Sequence, residues 1–296
     1  MSTNPGQDPV GQSDMTAVAE HALRNRGDWT PEQRLGAARV AASLVSDIPN
    51  SETWTVGLAG APGCGKSALA GLVVALLEVR GIAAQVLSLD DYYLAGQDRE
   101  SLSRIHPLFE QRGVPGTHDW AALIGHLDQI RNGSIEGLRL PRFEKARDEP
   151  VPVADFSPVE RVPQVLLLEG WTIGAPPQTD AELTRPVNAM EAASDPEAQW
   201  RSMVNAHLDR YHRDLLPRLD RRWFLAAPDW ESVIEWRWRQ ELDLRATGSP
   251  GQFKSRREVI EFLDRFQRIV EHMLASCGQW ADTVVRIDRQ HVMAIS

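Results

Sequence analysis

Residues 57–71 read GLAGAPGCGKSALAG, in which four glycines within nine positions run directly into Lys66 and Ser67. Glycine is unfavourable inside strands and helices, so this density needs a backbone reason. The segment GAPGCGKS (residues 60–67) fits the P-loop pattern of glycine, any four residues, glycine, lysine and then serine or threonine. A β-rich run precedes it and an apolar helical run follows, which is the context that this pattern requires.

The pattern predicts a site for nucleotide phosphates. Backbone N–H groups that surround phosphate oxygens leave no room for side chains, and the helix that begins near Gly65 adds free N–H groups and its positive dipole end. We expect Lys66 to neutralise the β- and γ-phosphates of ATP and Ser67 to bind Mg²⁺. The predicted nucleotide contacts are Gly60, Ala61, Pro62, Gly63, Cys64, Gly65, Lys66, Ser67 and Ala68. The alternative is a glycine-rich turn that carries Lys-Ser by chance.

The bulk composition is that of a globular protein. The chain has 296 residues, 42% of them hydrophobic, and a formal net charge of −9, which gives no electrostatic indication of a nucleic-acid partner. Its two cysteines cannot form a disulfide framework, and the longest apolar run is about half of a membrane span, so we expect a cytoplasmic protein with no membrane partner. Residues 1–14 are polar, lack a signal-peptide core, and are expected to form a disordered leader before a single domain over residues 15–296.

Short β-rich runs that alternate with helical stretches predict an α/β fold with a parallel sheet. The runs are residues 53–59, 84–89, 164–169, 222–227 and 283–287.

Two segments interrupt this alternation and are expected to lie above the sheet. Residues 92–163 contain one predicted helix, from Asp119 to about Asn132, and residues 228–278 form two predicted helices. In the first of those two, an apolar stripe at Trp230, Ile234, Trp238 and Leu242 is expected to face the core.

Two strand ends carry the acidic residues that the chemistry needs. Asp90 and Asp91 directly follow the second run, and we expect Asp90 to be the general base that accepts a proton from a substrate hydroxyl. Glu169 ends the third run and is a candidate ligand of Mg²⁺ or of its water. A turn or helix-capping role for the aspartates, and a solvated strand end for Glu169, are the alternatives.

The sequence lacks the motifs of two classes of nucleotide-using protein, the switch GTPases and the transport ATPases. The β-rich run 164–169 ends in Glu169 and is followed by Gly170, whereas a GTPase switch has Asp-x-x-Gly at this point. The chain also has no Asn-Lys-x-Asp stretch, which reads guanine, and no Leu-Ser-Gly-Gly-Gln stretch, which is the signature of transport ATPases. These absences disfavour a switch GTPase and a transport ATPase.

Cations in rigid, Pro/Gly-rich stretches are candidates to bind an anionic substrate. They are Arg112 and His118 in RGVPGTHD and Arg142 and Lys145 in LPRFEKARDEP; Asp91 and Tyr93 are further candidate substrate residues. In the second insertion, Arg237, Arg239 or Arg245 could close over the transferring phosphate. Ion pairs of Glu241 with Arg237 and Arg245 are the alternative for these arginines.

The order of motifs resembles the D-glycerate 3-kinase family. The P-loop, LDDYYL, HPLFEQRGVPGTHD, LPRFEKARDEP, LLLEGWTIGAPP, WRSMVNAHL and EWRWRQE follow one another over roughly residues 50–290. RGVPGTHD and EGWTIGA are the more specific of these stretches. Two stretches depart from the family: ARDEPVPVADF stands where many members have Gly-x-Gly-Asp-Arg, and WRWRQE replaces WRLQQE.

This resemblance implies a P-loop kinase fold with a five-stranded parallel core, related to uridine kinase, phosphoribulokinase and bacterial pantothenate kinase. It also implies ATP and Mg²⁺ as cofactors, and phosphorylation of D-glycerate to 3-phosphoglycerate. Asp90 then matches the base and Glu169 the acidic residue of the metal site. Another acceptor (pantothenate, a nucleoside or a sugar phosphate) and an NTP-hydrolysing accessory protein stay open as alternatives.

Overall fold

The computed structural model describes residues 11–24, 29–48, 54–246, 248 and 251–296. Within these ranges the strands are β1 (Trp54–Gly60), β2 (Ala84–Ser88), β3 (Arg139–Leu140), β4 (Phe143–Glu144), β5 (Glu149–Pro150), β6 (Ser157–Pro158), β7 (Val165–Glu169), β8 (Arg221–Ala226), β9 (Thr283–Ile287) and β10 (Met293–Ile295).

The helices of the same ranges follow in chain order. They are α1 (Gln12–Ala22), α2 (Pro31–Ser46), α3 (Lys66–Val79), α4 (Gly96–Ser103), α5 (Trp120–Arg131), α6 (Asp180–Leu183), α7 (Ala189–Ser194), α8 (Gln199–Leu215), α9 (Trp230–Ala246) and α10 (Arg256–Trp280).

The main sheet has the strand order β10-β9-β8-β1-β7-β2. The five strands from β2 to β9 are parallel, and β10 pairs antiparallel with β9. The predicted α/β fold with a five-stranded parallel core is confirmed, and the antiparallel edge strand β10 is an addition that the sequence did not predict. Every residue of β7 is buried, as expected for a strand covered on both faces.

Local sequence explains where several helices begin. Thr30 caps α2 through a capping box, since Gln33 N donates to Thr30 Oγ1 and Thr30 N donates to Gln33 Oε1. Asp119 Oδ1 accepts from Ala122 N at the start of α5. The predicted helix from Asp119 to about Asn132 therefore matches α5.

The two insertions differ from the predictions in detail. Residues 92–163 also contain α4, which the sequence missed, and residues 228–278 contain α9 and α10 as predicted. The predicted apolar stripe of α9 is wrong at one end, because Leu242 is 44% exposed while Trp236 is buried. The face of α9 that enters the core is thus rotated toward Trp236.

The predicted leader lies partly outside the described residues, which start at Gly11. Its boundary at residue 14 is wrong, because residues 12–14 form the first turn of α1. The structure describes no helix long and apolar enough to cross a membrane.

Candidate active site

The P-loop joins β1 to α3 at the centre of the parallel sheet. Gly63 and Gly65 have φ angles of +83° and +89°, a region that disfavours side chains. Gly65 is the N-cap of α3 and no side chain caps this helix, so the first N–H groups of α3 face the loop. The strand order changes direction around β1, and ligands of open α/β sheets bind at such points beyond the carboxyl ends of the strands.

A cleft lies beyond the end of β1, and most of the predicted nucleotide contacts line it. Lys66 Nζ donates to the carbonyl oxygens of Gly60 and Ala61 at 3.0 and 3.1 Å. The cleft, of about 620 Å³, lies over the loop. Of the predicted nucleotide contacts, Pro62, Gly63, Gly65, Lys66, Ser67 and Ala68 line this cleft, whereas Gly60, Ala61 and Cys64 are buried and are not among the residues that line it.

A cluster of oxygen atoms at the ends of three elements fits a magnesium ion. Ser67 Oγ and Ser88 Oγ both donate to Glu169 Oε1, at 3.1 and 2.9 Å, and Glu169 is buried. Hydroxyl and carboxylate oxygens are the ligands that Mg²⁺ prefers, and Mg²⁺ usually keeps several waters and binds few protein groups. Ser67 and Glu169 were predicted for this role. Ser88 was not.

Asp90 lies on the short 3₁₀ turn, residues 89–92, that follows β2. Its Oδ1 accepts a hydrogen bond from Tyr93 Oη at 2.8 Å, and its Oδ2 lies 2.5 Å from Lys145 Nζ. Burial favours the neutral acid, but the charges of Lys145 and Lys66 and the two hydrogen bonds outweigh it, so the pKa of Asp90 lies below its usual value. The carboxylate is therefore ionised at neutral pH.

Asp91 has a different environment from its neighbour. Its Oδ1 accepts from Phe143 N at 3.1 Å, which ties the turn to β4. Burial raises the pKa of Asp91, and the adjacent Asp90 charge raises it further. Asp91 lines the cleft, and its hydrogen bond to the backbone gives it a structural contact that Asp90 lacks.

Of the remaining predicted substrate residues, Tyr93, Arg112 and Lys145 line the cleft, whereas Arg142 is exposed and is not among the described residues that line it. Arg112 pairs with Asp148 and lies 5.3 Å from the ring centroid of Phe143. The charge of Arg142 nevertheless acts on Asp91, which lines the cleft, and its role toward the substrate stays a prediction.

His118 is also placed differently from the prediction. It is 5% exposed and lies behind Tyr93, with the two ring centroids 4.8 Å apart. Its Nδ1 shares a hydrogen bond with Tyr211 Oη at 3.2 Å, and burial lowers the pKa of His118 to about 4. His118 is a neutral, buried support of Tyr93 and does not line the described cleft.

Among the three candidate arginines, Arg237 lines the cleft and forms the ion pair with Glu241 that was its alternative role. Arg237 Nη1 lies 2.5 Å from Oε1 of the buried Glu241, and the backbone N of Arg237 lies 3.5 Å from where a Cβ on Gly63 would be. Arg239 also lines the cleft but is exposed and lies 4.0 Å from Glu235. Arg245 points elsewhere, since its guanidinium lies 5.3 Å from the Trp238 ring centroid.

The structure adds two aromatic residues that the sequence did not predict. His291, next to β10, lines the cleft and stacks on Trp236 with a centroid separation of 4.3 Å. Burial lowers the pKa of His291 despite a hydrogen bond to the Cys64 backbone. His291 has no sequence signal of its own, because only the pairing of β10 with β9 brings it to the P-loop.

Cys64 lies in the P-loop just before the N-terminus of α3, a position that lowers the pKa of many thiols. The side chain is fully buried, and burial raises the pKa of the thiol despite the nearby Lys66. A buried thiol with a raised pKa is poorly nucleophilic. The interpretation of Cys64 as a small loop residue is the one that this environment favours.

No family model matches the chain, but curated relatives do. A chloroplastic D-glycerate 3-kinase of Arabidopsis thaliana is 27% identical over 229 residues, covering 74% of this chain and 47% of that protein. The chain thus spans about half the length of that relative. The uncharacterised kinase mug58 of Schizosaccharomyces pombe is 27% identical over 234 residues, which is 74% of this chain and 80% of that one. A pantothenate kinase of Leifsonia xyli is 27% identical over 47% of this chain and 41% of its own length.

Solved structures extend the similarity to the whole fold. A D-glycerate 3-kinase of Cryptococcus neoformans superposes with a TM-score of 0.66 at 21% identity, over 88% of this chain and 96% of that one. The chain has a P-loop kinase fold. The YGR205w protein superposes with a TM-score of 0.68 at 21% identity, over 88% of this chain and 97% of that one. The resemblance to D-glycerate 3-kinases that the sequence predicted is confirmed.

Proposed function

We propose that this protein is an ATP-dependent kinase that transfers the γ-phosphoryl group to a hydroxyl of a small carboxylated alcohol, with D-glycerate as the first candidate. The observation that carries the proposal is the presence in one cleft of a P-loop and an ionised aspartate. Lys66 and Asp90 both line this cleft, and Lys66 is one of the charges that lower the pKa of Asp90.

Two groups of residues that line the cleft suit the two substrates. The ring of His291 lies beside the P-loop, with Nε2 3.7 Å from where a Cβ on Gly65 would be, and would receive the nucleoside. Asp90 contacts Tyr93 and Lys145, Arg112 lies by the Tyr93 ring, and this group, the acceptor end of the cleft, would receive the acceptor. The P-loop would then hold the phosphates.

The residues of the cleft have distinct tasks in this reaction. Lys66 and the first N–H groups of α3 would bind the β- and γ-phosphates, and Arg237 would stabilise the charge on the transferring group. Ser67 and Glu169 would hold Mg²⁺, which supplies charge neutralisation at the phosphates. Asp90 would accept the proton of the acceptor hydroxyl and orient its oxygen toward the γ-phosphorus.

The choice of D-glycerate rests on two supports. Lys145 and Arg112 provide cations beside Asp90 that suit a carboxylate. The second support is the similarity to a D-glycerate 3-kinase over 74% of the chain. Pantothenate, also a carboxylated alcohol, is the second candidate because the chain resembles a pantothenate kinase over 47% of its length.

The experiment that tests the proposal measures ADP release with Mg-ATP across an acceptor panel. The panel contains D-glycerate, L-glycerate, pantothenate, uridine, ribulose 5-phosphate and no acceptor, with Lys66→Ala as the blank. We expect turnover with D-glycerate that Lys66→Ala abolishes. Turnover with another acceptor would replace glycerate and keep the kinase, and slow turnover that no acceptor changes would contradict the kinase.

A further inference from the structure

Both cations at the acceptor end of the cleft, Lys145 and Arg112, are paired with carboxylates of the chain itself. The proposed function does not require these two ion pairs. Lys145 Nζ lies 2.5 Å from Asp90 Oδ2, and Arg112 pairs with Asp148. Lys145 therefore contacts the same carboxylate that would act as the base.

The hairpin that carries Lys145 is anchored at one strand and at its turn. Its strands are β4 and β5, and residues 145–148 form the turn between them. Phe143 N donates to Asp91 Oδ1 at one end, and at the other Asp148 Oδ2 lies 2.7 Å from Nη2 of the buried Arg99. These contacts hold the hairpin against the turn that carries Asp90 and Asp91, and Lys145 lines the cleft from there.

The ion pair between Lys145 and Asp90 is weak enough for Lys145 to exchange Asp90 for another carboxylate. The Lys145 side chain is 61% exposed, whereas that of Asp90 is 31% exposed. Ion pairs with an exposed lysine contribute little free energy because water and side-chain entropy compete with them. A second carboxylate that enters the cleft can therefore compete with Asp90 for the ammonium.

The ion pair with Lys145 also makes Asp90 a weaker base. Tyr93 donates to one oxygen of Asp90 and Lys145 to the other. A carboxylate whose two oxygens both accept strong hydrogen bonds is a weaker base than one with a free oxygen. While Lys145 contacts Asp90, the carboxylate is thus poorly able to take a proton from water or from an alcohol.

We propose that Lys145 senses the acceptor: the carboxylate of the acceptor draws Lys145 away from Asp90, and the base becomes available only when the acceptor is bound. The proposal rests on the proposed kinase function. In the step that follows, the hydroxyl proton moves to Asp90 and the acceptor oxygen forms a bond to the γ-phosphorus. The bond from that phosphorus to the bridging oxygen breaks, and ADP leaves with its electron pair.

Three variants test the role of Lys145. Lys145→Met removes the charge, Lys145→Arg keeps it, and Arg147→Met is the matched control. Arg147 belongs to the same turn but is 75% exposed and pairs with Glu144 outside the cleft. Each variant is assayed for kcat/KM with D-glycerate and with glycerol, which has a hydroxymethyl group in place of the carboxylate, and for ADP release without any acceptor.

We expect Lys145→Met to lower the ratio of kcat/KM for D-glycerate to that for glycerol by about 10- to 100-fold, the range for a lost charged hydrogen bond. We also expect ADP release without acceptor to rise in this variant, because Asp90 is then free to activate water. Lys145→Arg and Arg147→Met should leave the ratio within a few-fold of wild type. A purely structural role of Lys145 would change neither the ratio nor the acceptor-free rate.

The outcomes separate this proposal from the proposed function. If the wild type phosphorylates no acceptor, the kinase proposal fails, but a higher acceptor-free rate in Lys145→Met still supports the masking of Asp90. If the wild type is a glycerate kinase and Lys145→Met keeps both the ratio and the acceptor-free rate, the kinase proposal stands and the sensing role is overturned.

Discussion

Neighbouring aspartates in this site have opposite environments, and that difference separates their proposed roles. Lys145, Lys66 and Tyr93 hold the pKa of Asp90 low, whereas burial raises that of Asp91. We therefore expect Asp90→Asn to lower kcat by about 10²- to 10⁴-fold with little change in the KM for ATP, measured by steady-state kinetics. Asp91→Asn is the paired comparison. A larger loss of kcat in that variant would assign the base to Asp91.

A second prediction at this scale concerns His118 and the pH dependence of stability. The folded-state pKa of about 4 lies below the unfolded value near 6.5, so the unfolded chain binds the proton more tightly. The contribution of His118 to stability is complete above pH 6.5 and is lost as the pH falls toward 4. We expect a loss of about 2 kcal/mol from this residue between pH 7 and pH 5.

The measurement is urea unfolding of the wild type and His118→Phe at both pH values. The variant keeps a ring beside Tyr93 and should lose less free energy of unfolding on acidification than the wild type. His21→Phe, on an exposed part of α1, is the control. Equal losses in wild type and His118→Phe would contradict the assignment of a neutral, buried His118.

At the scale of elements, α9 places Arg237 and Arg239 at the cleft and Arg245 beside Trp238. Arg237 is fixed by the buried Glu241, whereas Arg239 is exposed. We expect Arg237→Ala to lower kcat by about 10³-fold or more and Arg239→Ala to lower it by less than about tenfold. Arg237→Lys keeps a cation beside Glu241, so comparing its melting temperature and kcat with those of Arg237→Ala separates misfolding from lost catalysis. Equal effects of Arg237→Ala and Arg239→Ala would contradict this assignment.

The elements also show what a sequence pattern can and cannot predict. The five parallel strands were predicted because each is a short run of apolar residues between helical stretches. The strand β10 has three residues, and each strand of the hairpin 143–150 has two, which is too short for an alternating pattern. The helix α4, GQDRESLS, was missed because it has no apolar stripe.

For the whole molecule, the proposed nucleotide site links ligand binding to stability. A ligand that binds only the folded chain stabilises it by about 2.7 kcal/mol at a concentration of 100 Kd. We expect Mg-ATP to raise the melting temperature of the wild type in a concentration-dependent way, measured by calorimetry. Lys66→Ala should lose most of this shift, and a shift of the same size in both proteins would argue against the P-loop as the site.

The sequence predicted the candidate residues that belong to a local pattern. Lys66 and Ser67 belong to the P-loop pattern, and Asp90 and Glu169 stand at the ends of β-rich runs. Ser88 shares Glu169 with Ser67 only because β2 and β7 are neighbours, and a serine before a turn has no pattern of its own. Its role depends on the strand order, which the spacing of residues along the chain does not give.

The close packing of α2 against β10 has a consequence for which substitutions the protein tolerates. A Cβ on Gly36 would lie 2.8 Å from the carbonyl oxygen of Met293, and the Met293 methyl group lies 3.1 Å from where a Cβ on Gly65 would be. A larger residue at position 36 must therefore push β10 toward the phosphate loop or away from it. In a survey of random substitutions, changes at Gly36 would therefore impair the nucleotide site as changes at a ligand-binding residue do, although Gly36 does not line the cleft.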